Sequence, residues 1–305
     1  MIKLKFILLL TFLIIKICLT AQTPDQSASY LNKFNTDYIT GMMNNKPETI
    51  VQYYAIGIRL MPEFQKTIIG KTYAQQYHQS FFERFVILAY TRSISEIIDL
   101  GSKVAESGKF NMTLKLKSSG KQQEIQGKYF CIWDKQKNST LSLNTETWNY
   151  DHHLENEDQM RFQNIPVTDV ALQSHVPVNS NVSFELAALN RLMETTVSQH
   201  DAKIWSQFYT EDAIILHSHQ PASNDKKEQD AYLKKHVTEL PDFEKLDIRN
   251  DRIDHLGKYI IEYASHIAIW KSGESSGVGL GKDLRIWRRE QDGSLKIFRH
   301  IGMYD

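Results

Sequence analysis

The apolar and polar positions divide the chain into two stretches, and each stretch reads helices first and strands afterwards. In the second stretch, apolar residues recur at near-helical spacing and predict one long amphipathic helix. This apolar stripe consists of Phe184, Leu186, Leu189, Leu192, Met193 and Val197. Asp201 is placed to cap a second, short helix. A third helix is expected over 226–240, because Pro241 cannot continue it.

Strand-like runs follow the predicted helices of the second stretch. They cover 245–254, 259–270, 280–289 and 295–303, and Asp292-Gly293 is a strong hairpin signal between the last two. The first stretch repeats the plan, with a helical stripe of Tyr30, Leu31, Phe34, Tyr38 and Met42, two further helices over 47–54 and 72–85, and strands up to Trp148. Helices followed by strands predict an α+β fold class.

The two stretches are also related in sequence. Residues 127–151 align without a gap onto 281–305, and a second register upstream agrees to within two residues. The identical pairs include Gly127 with Gly281, Lys128 with Lys282, Trp133 with Trp287, Tyr150 with Tyr304 and Asp151 with Asp305. A period of about 155 residues is too long for a solenoid and indicates a duplicated domain. We therefore predict one domain over 22–151, a linker over 152–182 and a second domain over 183–305.

The N-terminus has the pattern of an export signal. Lys3 and Lys5 precede an apolar run from Phe6 to Ile15, and small residues precede Gln22. We expect a signal peptide over 1–21, a secreted or periplasmic protein, and no membrane attachment after cleavage. Cleavage would leave Cys131 as the single cysteine, so that no intramolecular disulfide could form.

Charge and motifs narrow the range of functions. Lys and Arg together number 36, as do Asp and Glu, so no basic field is present to gather nucleic acid. The glycines near 277–281 lie in a hairpin region with no helix after them, unlike a phosphate-binding loop. We expect no cofactor and no nucleic-acid partner.

Two motifs resemble the nuclear transport factor 2-like superfamily. Gln207-Phe-Tyr-Thr-Glu-Asp-Ala, followed by Ile-Ile-Leu, is similar to the start of the first strand in that superfamily. Gly281-Lys-Asp-Leu-Arg-Ile-Trp, then Asp-Gly-Ser-Leu-Lys-Ile and His300-Ile301, resembles the ending found in its SnoaL-like and DUF4440-type branch. The resemblance covers nearly all of 183–305 and, more loosely, 26–151.

The resemblance implies a tandem of cone-shaped domains, each with three N-terminal helices packed on a curved antiparallel sheet. It implies a ligand pocket between the helices and the sheet, and a habit of pairing sheets into dimers. Two fused copies could pair within one chain, so we expect an intramolecular pseudo-dimer that is a monomer in solution. Members of the superfamily include isomerases, dehydratases, cyclases and proteins that only bind, so the fold alone does not fix a function.

Strand alternation nominates side chains for the pocket of the second domain. His300 is the candidate general acid or base, and Glu262 or His266 would orient it. Ligand-binding candidates are Trp205, Tyr209, His217, Trp287 and Phe298. In the first domain Glu146 stands in place of His300, which predicts a supporting role for that domain.

Three functional hypotheses remain open at this point. The favoured one is binding of a small, mostly apolar molecule in the second domain. The alternative is a cofactor-independent lyase, isomerase or cyclase that uses His300 with Glu262 or His266. A weaker alternative is an interaction module. His217 and His219 alternate on one strand and could share a metal ion, but the predicted site contains no metal.

Overall fold

The computed structural model describes residues 24–138, 140–169 and 177–305, and the predicted signal peptide over 1–21 lies outside the described residues. The first unit contains α1 (Pro24–Met43), α2 (Pro47–Val51), β1 (Tyr54–Pro62), β2 (Ile68–Ile69), α3 (Lys71–Arg84), β3 (Phe85–Asp99), β4 (Lys103–Leu116), β5 (Gln122–Lys135) and β6 (Leu141–Tyr150). The second unit contains α4 (Asn181–Ser198), α5 (Ala202–Gln207), β7 (Tyr209–Leu216), α6 (Lys226–His236), β8 (Asp242–Leu256), β9 (Tyr259–Ser272), β10 (Ser275–Arg289) and β11 (Leu295–Tyr304). A short 3-10 helix, Glu157–Met160, lies between the units.

Each unit has one sheet. The strand order is β2-β1-β6-β5-β4-β3 in the first and β7-β11-β10-β9-β8 in the second. Neighbouring strands are antiparallel except for one parallel pair in each sheet, β1 with β6 and β7 with β11. The helices of each unit cover one face of its sheet, which we call the inner face, and bury a separate core there. The predicted fold class, two α+β cone domains of three helices and a sheet, is confirmed.

The long helix of the second unit buries a narrower stripe than the sequence predicted. Leu186, Met193 and Val197 are buried, whereas Phe184 is 67% exposed and Leu192 is 52% exposed. Asn190 joins the buried stripe, because its amide is hydrogen-bonded inside the core. The prediction for Phe184 and Leu192 was wrong, since helical spacing alone does not reveal which edge of an apolar stripe is covered.

Other boundaries agree closely with the sequence. In α1, the residues from Leu31 to Met42 that carry the predicted stripe are buried, apart from half-buried Tyr30 at its edge. Gly293, in the predicted hairpin turn, has a φ of 84°, which glycine adopts without strain. The third helix of the second unit ends at His236 rather than at 240, and a looser turn fills the interval before β8.

Part of the predicted linker packs on the first unit. Leu154, Met160, Phe162 and Ile165 are buried in the core of that unit. Arg84 of α3 anchors the segment, because its guanidinium donates hydrogen bonds to two backbone carbonyls of the linker at 2.6 and 2.8 Å. The domain boundaries themselves stay predictions.

The two sheets pack against each other through their outer faces, the faces away from the helices. An apolar cluster between them draws on both units: Met61, Leu100, Ala105, Phe130 and Ile132 from the first, and Leu216, Ile261, Tyr263, Leu284, Ile286, Phe298, Ile301 and Met303 from the second. The fused copies therefore hide this apolar surface within one chain. Whether the chain is a monomer in solution stays a prediction.

Two buried lysines hold equivalent positions at this junction. Lys128 and Lys282 are both fully buried. Each forms an ion pair with the aspartate at the end of its own repeat, Asp151 or Asp305. Lys128 also donates to the carbonyl of Gln220 in the second unit, and Lys282 donates to the carbonyl of Gln65 in the first. These polar contacts cross the junction reciprocally.

No helix within the described ranges is long and apolar enough to cross a membrane.

Candidate functional site

The second unit encloses a cavity between its helices and the inner face of its sheet. Its volume is about 340 Å³, near the lower end of the roughly 300–1,000 Å³ typical of small-molecule sites. Apolar and aromatic side chains dominate its walls; examples are Met193, Val197, Phe243, Leu246 and Trp270. The size and the lining suit a small, mostly apolar molecule.

Two capped helices place aromatic rings over the cavity. The carboxylates of Asp201 and Asp225 accept hydrogen bonds from backbone N–H groups in the first turns of α5 and α6, which fixes where these helices begin. Helix α5 then carries Trp205 to the cavity, and α6 carries Tyr232 and His236.

These rings form a continuous surface, which we call the ring ladder. The rings of His217 and Tyr232 are 3.5 Å apart between centroids, and those of Tyr232 and His236 are 5.0 Å apart. Trp205 extends the ladder, with its ring 5.9 Å from that of His236. The ladder lines the helix side of the cavity with aromatic side chains.

Asp283 organises the polar floor of the cavity. Its Oδ1 lies 2.8 Å from Nε2 of His300, and its Oδ2 lies 3.1 Å from Nδ1 of His266. The guanidinium of Arg285 approaches the same carboxylate, with Nη2 3.1 Å from Oδ2. One carboxylate therefore orients two imidazoles and is balanced by one buried cation.

The hydrogen bonds fix the tautomers of both histidines. An ionised carboxylate only accepts, so Nε2 of His300 and Nδ1 of His266 carry the protons that face Asp283. Nδ1 of His300 is then an acceptor, and the Tyr209 hydroxyl donates to it at 3.1 Å. Both nitrogens of His300 are thus occupied, whereas no described residue hydrogen-bonds to Nε2 of His266. His266 is the better placed of the two to act on a ligand.

Burial and charge shift the protonation equilibria here. Burial alone would raise the pKa of Asp283, but Arg285 and the two imidazoles hold that pKa well below its usual value. Burial lowers the pKa of His300, although Asp283 opposes this shift. Burial also lowers the pKa of His217 and His236. These three imidazoles are therefore neutral at pH 7.

Glu262 lies deeper than the floor and does not contact His300. Its carboxylate accepts hydrogen bonds from the amide of Asn190 at 2.7 Å and from the indole of Trp287 at 2.7 Å. Arg285 lies between Glu262 and Asp283, 3.4 Å from the Glu262 carboxylate. The prediction that Glu262 orients His300 was wrong, because Asp283 on the neighbouring strand is closer and fills that role.

Two predicted ligand contacts lie away from the cavity. Trp287 is fully buried in the core beneath the floor, where its indole is hydrogen-bonded to Glu262. Phe298 packs in the cluster between the two units. The pairing of β10 with β11 shifts register at this point: Ile286 pairs with Arg299 and Trp287 with Ile297. This bulge turns the Phe298 side chain to the outer face. Both assignments were therefore wrong.

The remaining predicted contacts, Trp205, Tyr209 and His217, line the cavity together with His266 and His300. Nε2 of His217 and Oγ of Ser218 are buried and have no hydrogen-bond partner among the described residues. An unpaired buried polar atom costs about 1–3 kcal/mol. A ligand with a polar group at this end of the cavity would remove that cost.

The two histidines of the His217-Ser-His219 sequence point to different places. His217 stacks in the ring ladder, whereas His219 has a φ of 60° and stacks on Phe64 of the first unit. They do not share a face, so the metal alternative fails for this pair. Across the described residues, no group of three or more His, Cys, Asp or Glu is arranged to hold a metal ion.

The equivalent space in the first unit is nearly filled. Its cavity is about 40 Å³. The buried pair Arg92–Glu146, with an N–O distance of 2.9 Å, occupies the position of the polar floor. Glu146 also accepts a hydrogen bond from the Tyr54 hydroxyl, which in turn contacts His78 at 3.0 Å. The interior of the second unit therefore has room for a small molecule that the interior of the first unit lacks.

Sequence reasoning missed Asp283 and Arg285. Both lie in β10, within the run over 280–289 that was predicted to be a strand, and both are almost fully buried. Two charged residues at alternate positions of one strand face were the available signal, because charges on a covered face need partners. Tyr232 and His236 were also missed, since the third helix was predicted without assigning a face.

Neither a family model nor a curated protein sequence matches the chain. Similar solved structures include a ketosteroid isomerase-like protein from Erwinia carotovora atroseptica, at 13% identity and a TM-score of 0.38, covering 40% of this chain and 94% of that protein. ActVI-ORFA from Streptomyces coelicolor has 17% identity and a TM-score of 0.32, with coverages of 41% and 98%. A type 2 hexachlorocyclohexane dehydrochlorinase has 10% identity and a TM-score of 0.37, with coverages of 41% and 86%.

Each of these proteins spans about the length of one unit. The order of elements in each unit, helices followed by a sheet, is the one that the sequence resemblance implied.

Proposed function

We propose that the second unit binds a small, mostly apolar molecule in its cavity. The observation that carries this proposal is the cavity itself: about 340 Å³ in the second unit against about 40 Å³ at the equivalent place in the first. At one end of the cavity, two buried polar atoms, His217 Nε2 and Ser218 Oγ, have no hydrogen-bond partner among the described residues. Apolar walls with a few convergent polar groups are typical of ligand sites.

Native mass spectrometry tests this proposal directly. The protein is purified from its own host without detergent, and a reproducible bound mass that is lost on denaturation is expected. The variant His217→Phe should reduce the bound fraction and leave the empty protein equally stable or more stable, since it removes an unpaired buried nitrogen. His255→Phe, at an exposed position on β8, is the matched control. A bound mass that His217→Phe retains in full would argue against this site.

A second candidate function is acid–base catalysis without a cofactor. The observation that favours it is the His266–Asp283 pair, in which Asp283 holds the Nδ1 proton and leaves the Nε2 lone pair available. Nε2 would take a proton from a carbon beside a carbonyl group; the electron pair of the broken C–H bond would form the C=C bond of an enolate, and the π pair of the carbonyl would move to its oxygen. Glu262 has no part in this proposal.

Deuterium exchange into 2-tetralone in D₂O, followed by NMR, tests the catalytic candidate. Wild-type protein should accelerate exchange at the carbon next to the carbonyl. His266→Gln should reduce the acceleration by roughly 10²–10⁴-fold. Asp283→Asn should reduce it as well, because the Nδ1–H tautomer of His266 would no longer be held by a carboxylate. Equal exchange with wild type and His266→Gln would remove His266 as the base. If 2-tetralone binds and does not exchange, pure binding is favoured.

We also propose that the chain is exported to a secreted or periplasmic location, on the strength of the N-terminal pattern of Lys3, Lys5 and the apolar run after them. The intact mass of the protein from its host should correspond to cleavage before Gln22. A mass that retains residues 1–21 would contradict export by this route.

A further inference from the structure

Three glycines of β10 lie on the inner face of the sheet, at Gly277, Gly279 and Gly281. Two of them lie under rings from β9. A Cβ at Gly277 would lie 2.7 Å from the indole of Trp270, and a Cβ at Gly281 would lie 2.4 Å from the imidazole of His266. Real side chains do not approach so closely, so these two glycines allow the rings to lie flat against the backbone.

Gly279 is different, because nothing covers it. The nearest atom to a Cβ built there is the Cβ of Ala268, at 3.9 Å. Ala268 pairs with Gly279 across the strands, and both residues line the cavity. Gly277 and Gly281 are roughly 13 Å apart along an extended strand. The rings of Trp270 and His266 therefore bound a bare patch of sheet between them, which we call the glycine seat: Ala268 and Gly279.

Aromatic surfaces surround the glycine seat. Trp270 and His266 lie at its two ends on the sheet, and the ring ladder from His217 through Tyr232 to His236 belongs to the helix side of the same cavity. A flat ring resting on the seat could contact aromatic side chains on several sides, whereas a globular molecule of equal volume could not lie close to the sheet.

The described lining of the cavity offers no unpaired cation to an anionic ligand. The carboxylate of Asp283 is paired with Arg285, which also contacts Glu262. Burial keeps His217, His236 and His300 neutral at pH 7 by lowering each pKa. An anionic ligand would lose its hydration without gaining a free counter-charge. Hydrogen-bonding atoms remain available on His266, His217 and Ser218.

We propose that Gly279 and Ala268 are the seat of a flat, uncharged ring, and that the missing side chain at position 279 sets the depth of the cavity. The ligand class is a neutral aromatic or fused-ring molecule with one or two hydrogen-bonding groups at its edge. This inference rests on the proposed binding function of the second unit. It adds the shape and charge of the ligand and the residue that determines the depth of the cavity.

Isothermal titration calorimetry with three compounds tests the inference: 2-naphthol, which is flat and neutral, 1-adamantanol, which is globular and neutral, and 2-naphthoate, which is flat and anionic. Wild-type protein should bind 2-naphthol at least about tenfold more tightly than either of the others, a preference of about 1.4 kcal/mol.

Gly279→Val should abolish the binding of 2-naphthol. Valine suits a strand, and a Cβ at this position meets only Ala268 at ordinary contact distance, so the fold should be kept. Gly279→Ala is the milder variant and should weaken binding partially. Gly57→Val is the matched control, because Gly57 is an exposed position of β1 in the first unit with open space around it; it should bind as wild type does.

The possible failures are distinguishable. If wild type binds 1-adamantanol or 2-naphthoate as tightly as 2-naphthol, or if both Gly279 variants bind 2-naphthol unchanged, the glycine seat is overturned and the cavity still binds ligands. If wild type binds none of the three compounds and carries no mass from its host, the proposed function fails, and the seat fails with it.

Discussion

Phe64 and His219 hold equivalent positions in the two units, and each donates its backbone N–H across the junction to a tyrosine of the other unit. Phe64 N lies 2.9 Å from the carbonyl oxygen of Tyr304, and His219 N lies 2.7 Å from that of Tyr150. Both residues adopt left-handed backbone conformations, with φ of 65° and 60°, which is uncommon outside glycine. The duplicated sequence thus produces a reciprocal pair of backbone hydrogen bonds across the junction. Lys128 and Lys282 add a second reciprocal pair.

The buried lysine of the second unit should be the more important one for stability. Lys282→Met leaves the carboxylate of Asp305, only 4% exposed, without its cation, whereas Lys128→Met leaves Asp151, which is 19% exposed. Breaking a buried ion pair costs about 3–5 kcal/mol. We expect Lys282→Met to lower the free energy of unfolding by that amount, and Lys128→Met to lower it by less, as measured by urea denaturation.

Lys121→Met is the control for this series, because the Lys121–Glu155 pair is exposed and should contribute nothing measurable. If Lys282→Met unfolds at the same urea concentration as this control, the buried pair does not stabilise the junction.

Glu63 should make the protein less stable as the pH rises. Burial raises the pKa of this carboxyl from 4.5 to about 8, so the folded state binds the proton more tightly than the unfolded state does. The resulting stability is present in full below pH 4.5 and is lost as the pH rises through 8. Glu63→Gln keeps the shape without the charge. It should match wild type near pH 5 and exceed it by roughly 2–4 kcal/mol at pH 9.

Urea denaturation of both proteins at several pH values gives the difference curve. The difference isolates Glu63 from other groups, including His219, whose Nε2 is 3.4 Å from the Glu63 carboxylate and whose pKa burial lowers to about 4. A difference that stays constant between pH 5 and pH 9 would mean that Glu63 titrates normally.

Buried and exposed positions of the predicted apolar stripe on α4 should differ in how much their truncation lowers stability. Leu186 is fully buried, and Leu186→Ala should cost about 2–5 kcal/mol in the free energy of unfolding. Leu192, which is 52% exposed, should tolerate alanine within about 0.5 kcal/mol. Chemical denaturation of the two variants measures both losses. Equal losses would mean that Leu192 is buried as the sequence predicted.

The chain should be a monomer in solution. The outer faces of the two sheets, which carry the apolar cluster around Phe130 and Ile261, already cover each other within one molecule. Multi-angle light scattering should therefore give the mass of one chain, 35.4 kDa or less. A mass of twice that value would show that a further surface drives association.

The sequence predicted the repeated architecture well, because the periodicity of each element and the Asp292-Gly293 turn act locally. The polar site was harder to predict, since its geometry depends on partners from different strands. His266 and His300 meet at Asp283, which only the strand pairing shows. Phe298 was assigned to the wrong face because a bulge reverses alternation, and no local pattern marked that bulge.

The filled interior of the first unit has a consequence for how the chain would respond to a ligand. Arg92 and Glu146 occupy the place that the second unit leaves open, so only one of the two equivalent interior spaces in the described residues is open to a ligand. Saturation by a cavity ligand should then follow a simple hyperbola with one equivalent per chain. A symmetric dimer of two open copies could support cooperativity between its sites, whereas a chain with one open copy has no second equivalent site to couple to.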